Sequence, residues 1–99
     1  MKGLKTAKCY ILPELPPLHI LFTHEDGVIV SRCLDFSISS HGEDLKEAKE
    51  AISEAIIEYI EHAFENNGLD KLIDPDLDIY WNLYRELELK SEAENFKER

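Results

Sequence analysis

The segment from Asp44 to Asn66 constrains this chain more than any other. Leu45, Ala48, Ile52, Ala55, Ile56, Tyr59, Ile60 and Ala63 recur every three or four residues, the spacing that lines one face of an α-helix with apolar side chains. Asp44 is a good N-cap, and Glu47 three residues later completes a D-x-x-E capping box. Asn66-Asn67-Gly68 supplies a stop built from residues that tolerate left-handed backbone. The opposite face carries Glu50, Glu54, Glu58, Glu61 and Glu65. Such a helix hides its stripe only against another layer, and the residues before it are the ones able to build a sheet.

Leu18 to Thr23 alternates, with Leu18, Ile20 and Phe22 on one face and His19, Leu21 and Thr23 on the other, as a half-buried strand does. Asp26-Gly27 follows, a dipeptide suited to the positive φ angles of a type I′ turn, and Val28-Ile29-Val30 resumes the apolar run, so a β-hairpin is expected. Beyond Arg32 to Asp35 the pattern Phe36-Ser37-Ile38-Ser39-Ser40 predicts a third strand. Upstream, the apolar run Cys9 to Leu12 is a candidate edge strand in a lysine-bearing arm ended by Pro16-Pro17. Downstream, Leu69 to Ile73 is a candidate short fourth strand. Asp74-Pro75 reads as N-cap and first helical residue of a second helix running to about Leu89, and the polar Lys90 to Arg99 is expected to fray. The expected fold class is α+β, a three-stranded antiparallel meander and one long helix, with an additional C-terminal helix. Its parts are an arm (1–17), an α/β domain (18–73) and an acidic helix with a tail (74–99).

Length and charge narrow the function. The 99 residues enclose a single core, burying roughly 60–70% of the unfolded surface, which excludes a large multidomain enzyme. Lys and Arg number 11 against 21 Asp and Glu, a net charge of −10. Phosphates would be repelled unless the basic residues formed a dense patch, and none is visible, so direct nucleic-acid binding is not expected. An acidic surface confers solubility and steers a protein toward basic partners. The two cysteines, Cys9 and Cys33, are too few for a disulfide scaffold and lack C-x-x-C spacing, so both are expected reduced. The stretch from Cys9 to Phe22 is broken by three prolines and Glu14, which fits neither a signal peptide nor a membrane span, and a cytoplasmic location is expected.

Candidate chemistry is sparse. His24-Glu25-Asp26 is the densest group, but residues at a hairpin tip diverge, whereas metal ligands must converge. Ser39-Ser40-His41 lacks the strained turn that holds a serine nucleophile, and is expected to be the loop leading into the helix. Cys33 has no positive helix end to stabilise a thiolate and is expected to be a small core residue. The glycines Gly3, Gly27, Gly42 and Gly68 are isolated and build no phosphate-cradling loop. The stripe Leu77, Tyr80, Trp81, Tyr84 and Leu87 reads first as packing on the domain's own core and second as a partner surface, since tyrosine and tryptophan are common binding anchors.

From Asp26-Gly27 to Gly42, and on through the long helix, the chain resembles the HicB family of toxin–antitoxin antitoxins. The residues in register are Cys33-Leu34-Asp35, Ile38, Ser40, Gly42, Glu47-Ala48, Glu54-Ala55-Ile56 and Tyr59, and the likeness covers about residues 18–66. His41 stands where the family has glutamine and Asp44 where it has a threonine cap. The resemblance implies a truncated RNase H-like fold without catalytic carboxylates. It also implies an antitoxin or solitary regulator that neutralises HicA, a small basic mRNA-cleaving toxin, by protein contact. Assembly as a homodimer or homotetramer is implied too; from the residues themselves no cofactor, metal or membrane partner is expected. Residues 69–99 lack the basic helices of a DNA-binding module. Candidate partner-binding residues are Glu50, Glu54, Glu58 and Glu61 on the helix, Asp26, Asp35 and His41 along the strands, with a strand edge near Asp26 to Asp35 as the alternative surface, and Trp81. Two further readings stand beside this one: a metal-dependent hydrolase or nuclease remnant using His24, Asp26 and Asp35, and a standalone oligomeric module docking through the C-terminal aromatic helix.

Overall fold

The computed structural model describes residues 5–10 and 17–97. Four antiparallel strands form one sheet in chain order: β1 (Lys5–Tyr10), β2 (Leu18–Glu25), β3 (Val28–Cys33) and β4 (Ile38–Gly42). Two helices follow, α1 (Leu45–Glu65) and α2 (Asp78–Lys97). The fold is α+β. The meander β2-β3-β4 is the expected one, and the arm extends it on the β2 side, where β1 pairs with Thr23 through Leu18. Ile11 and Leu12 of the expected edge strand, and Pro16, lie outside the described residues.

The β2–β3 connection obeys its turn chemistry. Glu25 pairs with Val28, leaving Asp26 (φ 50) and Gly27 (φ 83) as the two central residues, and positive φ at both positions is what a type I′ turn requires. The next connection departs from expectation. Residues 34–37 form a turn with Ser37 at φ 55, so the last strand begins at Ile38 and not at Phe36. Leu34 N donates to the His19 carbonyl at 2.9 Å, which keeps Leu34 on the sheet and starts the turn. Ser39, Ser40 and His41 are therefore strand residues, paired with Arg32, Ser31 and Val30, and not a loop.

Alternation along β2 divides the interior in two. Leu18, Ile20 and Phe22 pack with Ile29, Cys33, Phe36, Ala48, Ile52 and Leu72 on the α1 side. Leu21 packs with Leu34 and Tyr84 on the α2 side, bordered by Tyr80, Trp81, Leu83 and Leu87. The sheet is thus covered by a helix on each face, and burying side chains such as Phe22 and Phe36 stabilises the fold by about 2–3 kcal/mol apiece. All eight residues of the expected α1 stripe lie in or against the first cluster. Asp44 caps α1 by accepting from Glu47 N at 2.8 Å, while Glu47 Oε1 reaches back to Glu43 N at 3.4 Å. At the far end Asn67 takes the left-handed conformation (φ 55) and Gly68 N bonds to the Ala63 carbonyl at 2.7 Å, a Schellman-type closure.

Three expectations for the C-terminal third are corrected. Leu69–Lys71 is a single 3-10 turn and not a strand. The second helix begins at Asp78 and not at Asp74-Pro75, because Asp74 N and Asp76 N donate to the carbonyls of Asp35 and Leu34, both at 2.8 Å. That strap is extended along the 34–37 turn, and Ser37 Oγ bonds to the Asp74 carbonyl at 2.5 Å. Finally, the tail does not fray at Lys90, since α2 continues to Lys97.

Candidate functional site

The acidic residues of α1 form one surface. Glu50, Glu54, Glu58 and Glu61 are all exposed, and at 100° and 1.5 Å per residue they span an arc of about 80° and a length of about 16 Å. None of the four makes a hydrogen bond or ion pair with any described residue. Ile57 and Phe64, 55% and 69% exposed, border the same face.

The other expected partner-binding residues are scattered. Asp26 is exposed at the hairpin tip, and His41 is exposed on the outer strand β4. Asp35 is buried, at 9% exposure. The strand edge expected near Asp26 to Asp35 does not exist, because β3 is paired on both sides. Trp81 is half-buried and lies with its ring 5.3 Å from that of His19, so it is packed inward. Tyr80, Tyr84 and Leu87 likewise belong to the second interior cluster, whereas Leu77 is 67% exposed.

Asp35 is instead the centre of a polar clasp that sequence reasoning missed. Its Oδ1 accepts from His19 N at 2.6 Å and its Oδ2 lies 3.1 Å from His19 Nδ1. A carboxylate only accepts, so Nδ1 is the protonated ring nitrogen. The His19 ring then meets Trp81 and, edge-on, Tyr84, both at 5.3 Å between centroids. Beside it the Arg32 guanidinium stacks 4.0 Å above Tyr80, with Nη1 4.0 Å from Asp76. Two residues of the sheet therefore grip three rings of α2. The only signal in the chain was that His19 sits on the strand face opposite Leu18, Ile20 and Phe22.

His24, Asp26 and Asp35 are not brought together. His24 is near the end of β2, and Asp35 bonds to His19 five residues back, about 16 Å away at strand rise. Among the described residues no group of three or more His, Cys, Asp or Glu converges to hold a metal. Cys33 is free and fully buried, and burial, with the nearby Asp35 carboxylate, pushes its thiol up to about 11. Burial, and then Asp74, also raises the Tyr59 phenol, which donates to the Leu72 carbonyl at 2.8 Å.

One cleft opens on the α2 side, between the hairpin end of β2 and the first turns of the helix. Thr23, His24 and Glu25 form one wall and Ile79, Tyr80, Asn82, Leu83 and Glu86 the other, around about 500 Å3. Among the described residues no helix is long and apolar enough to cross a membrane. No protein-family model, curated protein or solved structure matches the chain.

Proposed function

We propose that this chain is a HicB-like binding module, an antitoxin or solitary regulator that neutralises a small basic mRNA-cleaving protein by covering it. The observation that carries the reading is the stripe Glu50, Glu54, Glu58 and Glu61, exposed on a capped helix and without partners among the described residues. Like charges four residues apart on a helix repel, and carboxylates toward its C-terminal end oppose the macrodipole. The stripe thus works against the helix that bears it and suits a cationic surface outside the molecule. The α+β order of strands and helix is compatible with the truncated RNase H-like layout that the resemblance implies, and dimeric or tetrameric assembly belongs to the same reading.

The test is calorimetric titration with the small basic protein encoded by the adjoining reading frame, together with inhibition of its RNA cleavage. Binding at low and physiological salt is expected. Exposed charge pairs contribute about 0.2–1 kcal/mol each, so replacing the four glutamates by glutamine, a loss of about 0.8–4 kcal/mol, weakens it roughly 4- to 900-fold. Absence of binding, or unchanged affinity in the glutamine variant, refutes the reading.

A further inference from the structure

The cleft beside α2 carries charge of one sign on both walls. Glu25 stands on the strand wall and Glu86 on the helix wall, and no lysine or arginine lines it. Between them the lining is mixed: Ile79, Leu83 and the Tyr80 ring supply apolar or aromatic surface, and Thr23, His24 and Asn82 are polar. Ile79, Asn82, Leu83 and Glu86 follow i, i+3, i+4, i+7 spacing, so one strip of α2 forms the wall.

We propose that this cleft is an anchor pocket for one arginine or lysine side chain of a basic protein partner; the inference rests on the partner class proposed above. Such a side chain has an apolar stem and a charged head, and it lies along apolar surface while its head reaches a carboxylate. Here the stem lies over Ile79, Leu83 and Tyr80, and the head sits between Glu25 and Glu86. Two features make the pocket ready beforehand. Thr23 Oγ1 donates to Glu25 Oε2 at 2.5 Å, which fixes the carboxylate and leaves Oε1 for a ligand. The Tyr80 ring is held by Arg32, whose guanidinium stacks 4.0 Å from its centroid. Ile79 is 69% exposed at the lip, so covering it removes apolar surface from water. The volume of about 500 Å3 lies within the range of small-ligand sites. An anionic group would meet two carboxylates with no lining lysine or arginine to offset them. A second copy of this chain would bring a further −10 of charge to the contact.

The experiment titrates the full-length protein with acetyl-Leu-Arg-Leu-amide and follows the Ile79 and Leu83 methyl resonances. Saturable shifts at both are expected. The citrulline peptide, which keeps the shape and loses the charge, binds about tenfold more weakly, and Glu86→Gln causes a comparable loss by removing one charge-assisted bond. Absence of saturable shifts overturns the proposal, as do shifts confined to Ile57 on α1 or equal binding of the citrulline peptide. Glu25 and Glu86 are exposed, so the double glutamine variant retains the wild-type melting profile. Its full affinity for the basic partner protein would overturn the pocket and leave the proposed function standing. Peptide binding without any basic protein partner would do the reverse.

Discussion

Replacing Gly42 by alanine tests how α1, and with it the acidic stripe, is seated on the sheet. Gly42 ends β4 two residues before the cap, and a Cβ there would lie 2.4 Å from Ala48 N, 2.7 Å from the Glu47 carbonyl carbon and 2.8 Å from Glu47 Cβ. Unstrained heavy-atom contact begins about 1 Å further out, so the first turn of α1 must retreat by about that distance, and a gap of 0.5–1 Å forfeits a quarter to a half of each contact it opens. Ala48 and Ile52, buried to 0% and 3% exposure, are the residues that lose packing. The Asp44–Glu47 cap bond, worth about 1 kcal/mol, is strained as well. With 1–3 kcal/mol for overpacking, the loss is about 2–4 kcal/mol, or roughly 10–25 °C in Tm for a domain of this size. Urea unfolding followed by circular dichroism measures it. Ala48→Gly does not rescue the variant, because the nearest opposing atom is the Ala48 backbone nitrogen. Gly27→Ala is the contrast: nothing lies within 4 Å of its added Cβ, and only the positive φ of 83° is at issue, costing about 1–2 kcal/mol. A Gly42→Ala loss under 1 kcal/mol, or rescue by Ala48→Gly, refutes the close approach.

Two more perturbations probe the interior. Asp35→Ala removes the acceptor of His19 N and the partner of its ring, and loses about 2–4 kcal/mol with a red shift of Trp81 emission, whereas Asp35→Asn, which keeps one acceptor oxygen, loses about half as much. If thermal melts place both within 0.5 kcal/mol of wild type, the clasp contributes nothing. Alkaline pH acts on Cys33. Its folded thiol titrates at about 11 against 9.0 when unfolded, so stability is fully present below pH 9 and falls as pH rises toward 11, by roughly 2–3 kcal/mol at the limit. The raised Tyr59 phenol acts in the same direction above its ordinary value of 10. Urea midpoints from pH 8 to 11 decline less steeply in Cys33→Ala, and identical declines would show that the buried thiol is not responsible.

What was legible in the sequence was what local chemistry determines. Asp26-Gly27 specifies its turn without help from the rest of the chain, and the capped periodic run from Asp44 specifies α1. Asp74-Pro75 is an equally good local signal for a helix start. It failed because the amides of Asp74 and Asp76 are claimed by carbonyls some forty residues earlier. The tail misled in the opposite sense: Lys90, Glu92 and Ala93 are good helix formers without an apolar stripe, and α2 continues through them. Gly42 read only as an isolated glycine because close approach to another backbone leaves no mark in sequence. The His19–Asp35 clasp joins residues 16 apart, and the cleft joins β2 to α2. Both depend on register and on which face a helix covers, and neither is encoded in any one window.

The placement of the carboxylates turns net charge into an argument about function. Several have structural work: Asp35 holds His19, Asp44 caps α1, Glu47 bonds Glu43 N, Asp76 accepts from Leu77 N and faces Arg32. Glu50, Glu54, Glu58 and Glu61 have none among the described residues. A solubilising surface needs charge but no alignment, and aligned like charges at three- and four-residue spacing cost about 0.2–0.5 kcal/mol per pair. The two groups therefore respond to neutralisation with opposite sign. Removing a structural carboxylate lowers stability, whereas converting the stripe to glutamine leaves the melting temperature unchanged or raises it while weakening the basic partner. If the stripe variant melted lower than wild type, those glutamates would be structural, and the best physical reason for a cationic partner would be gone.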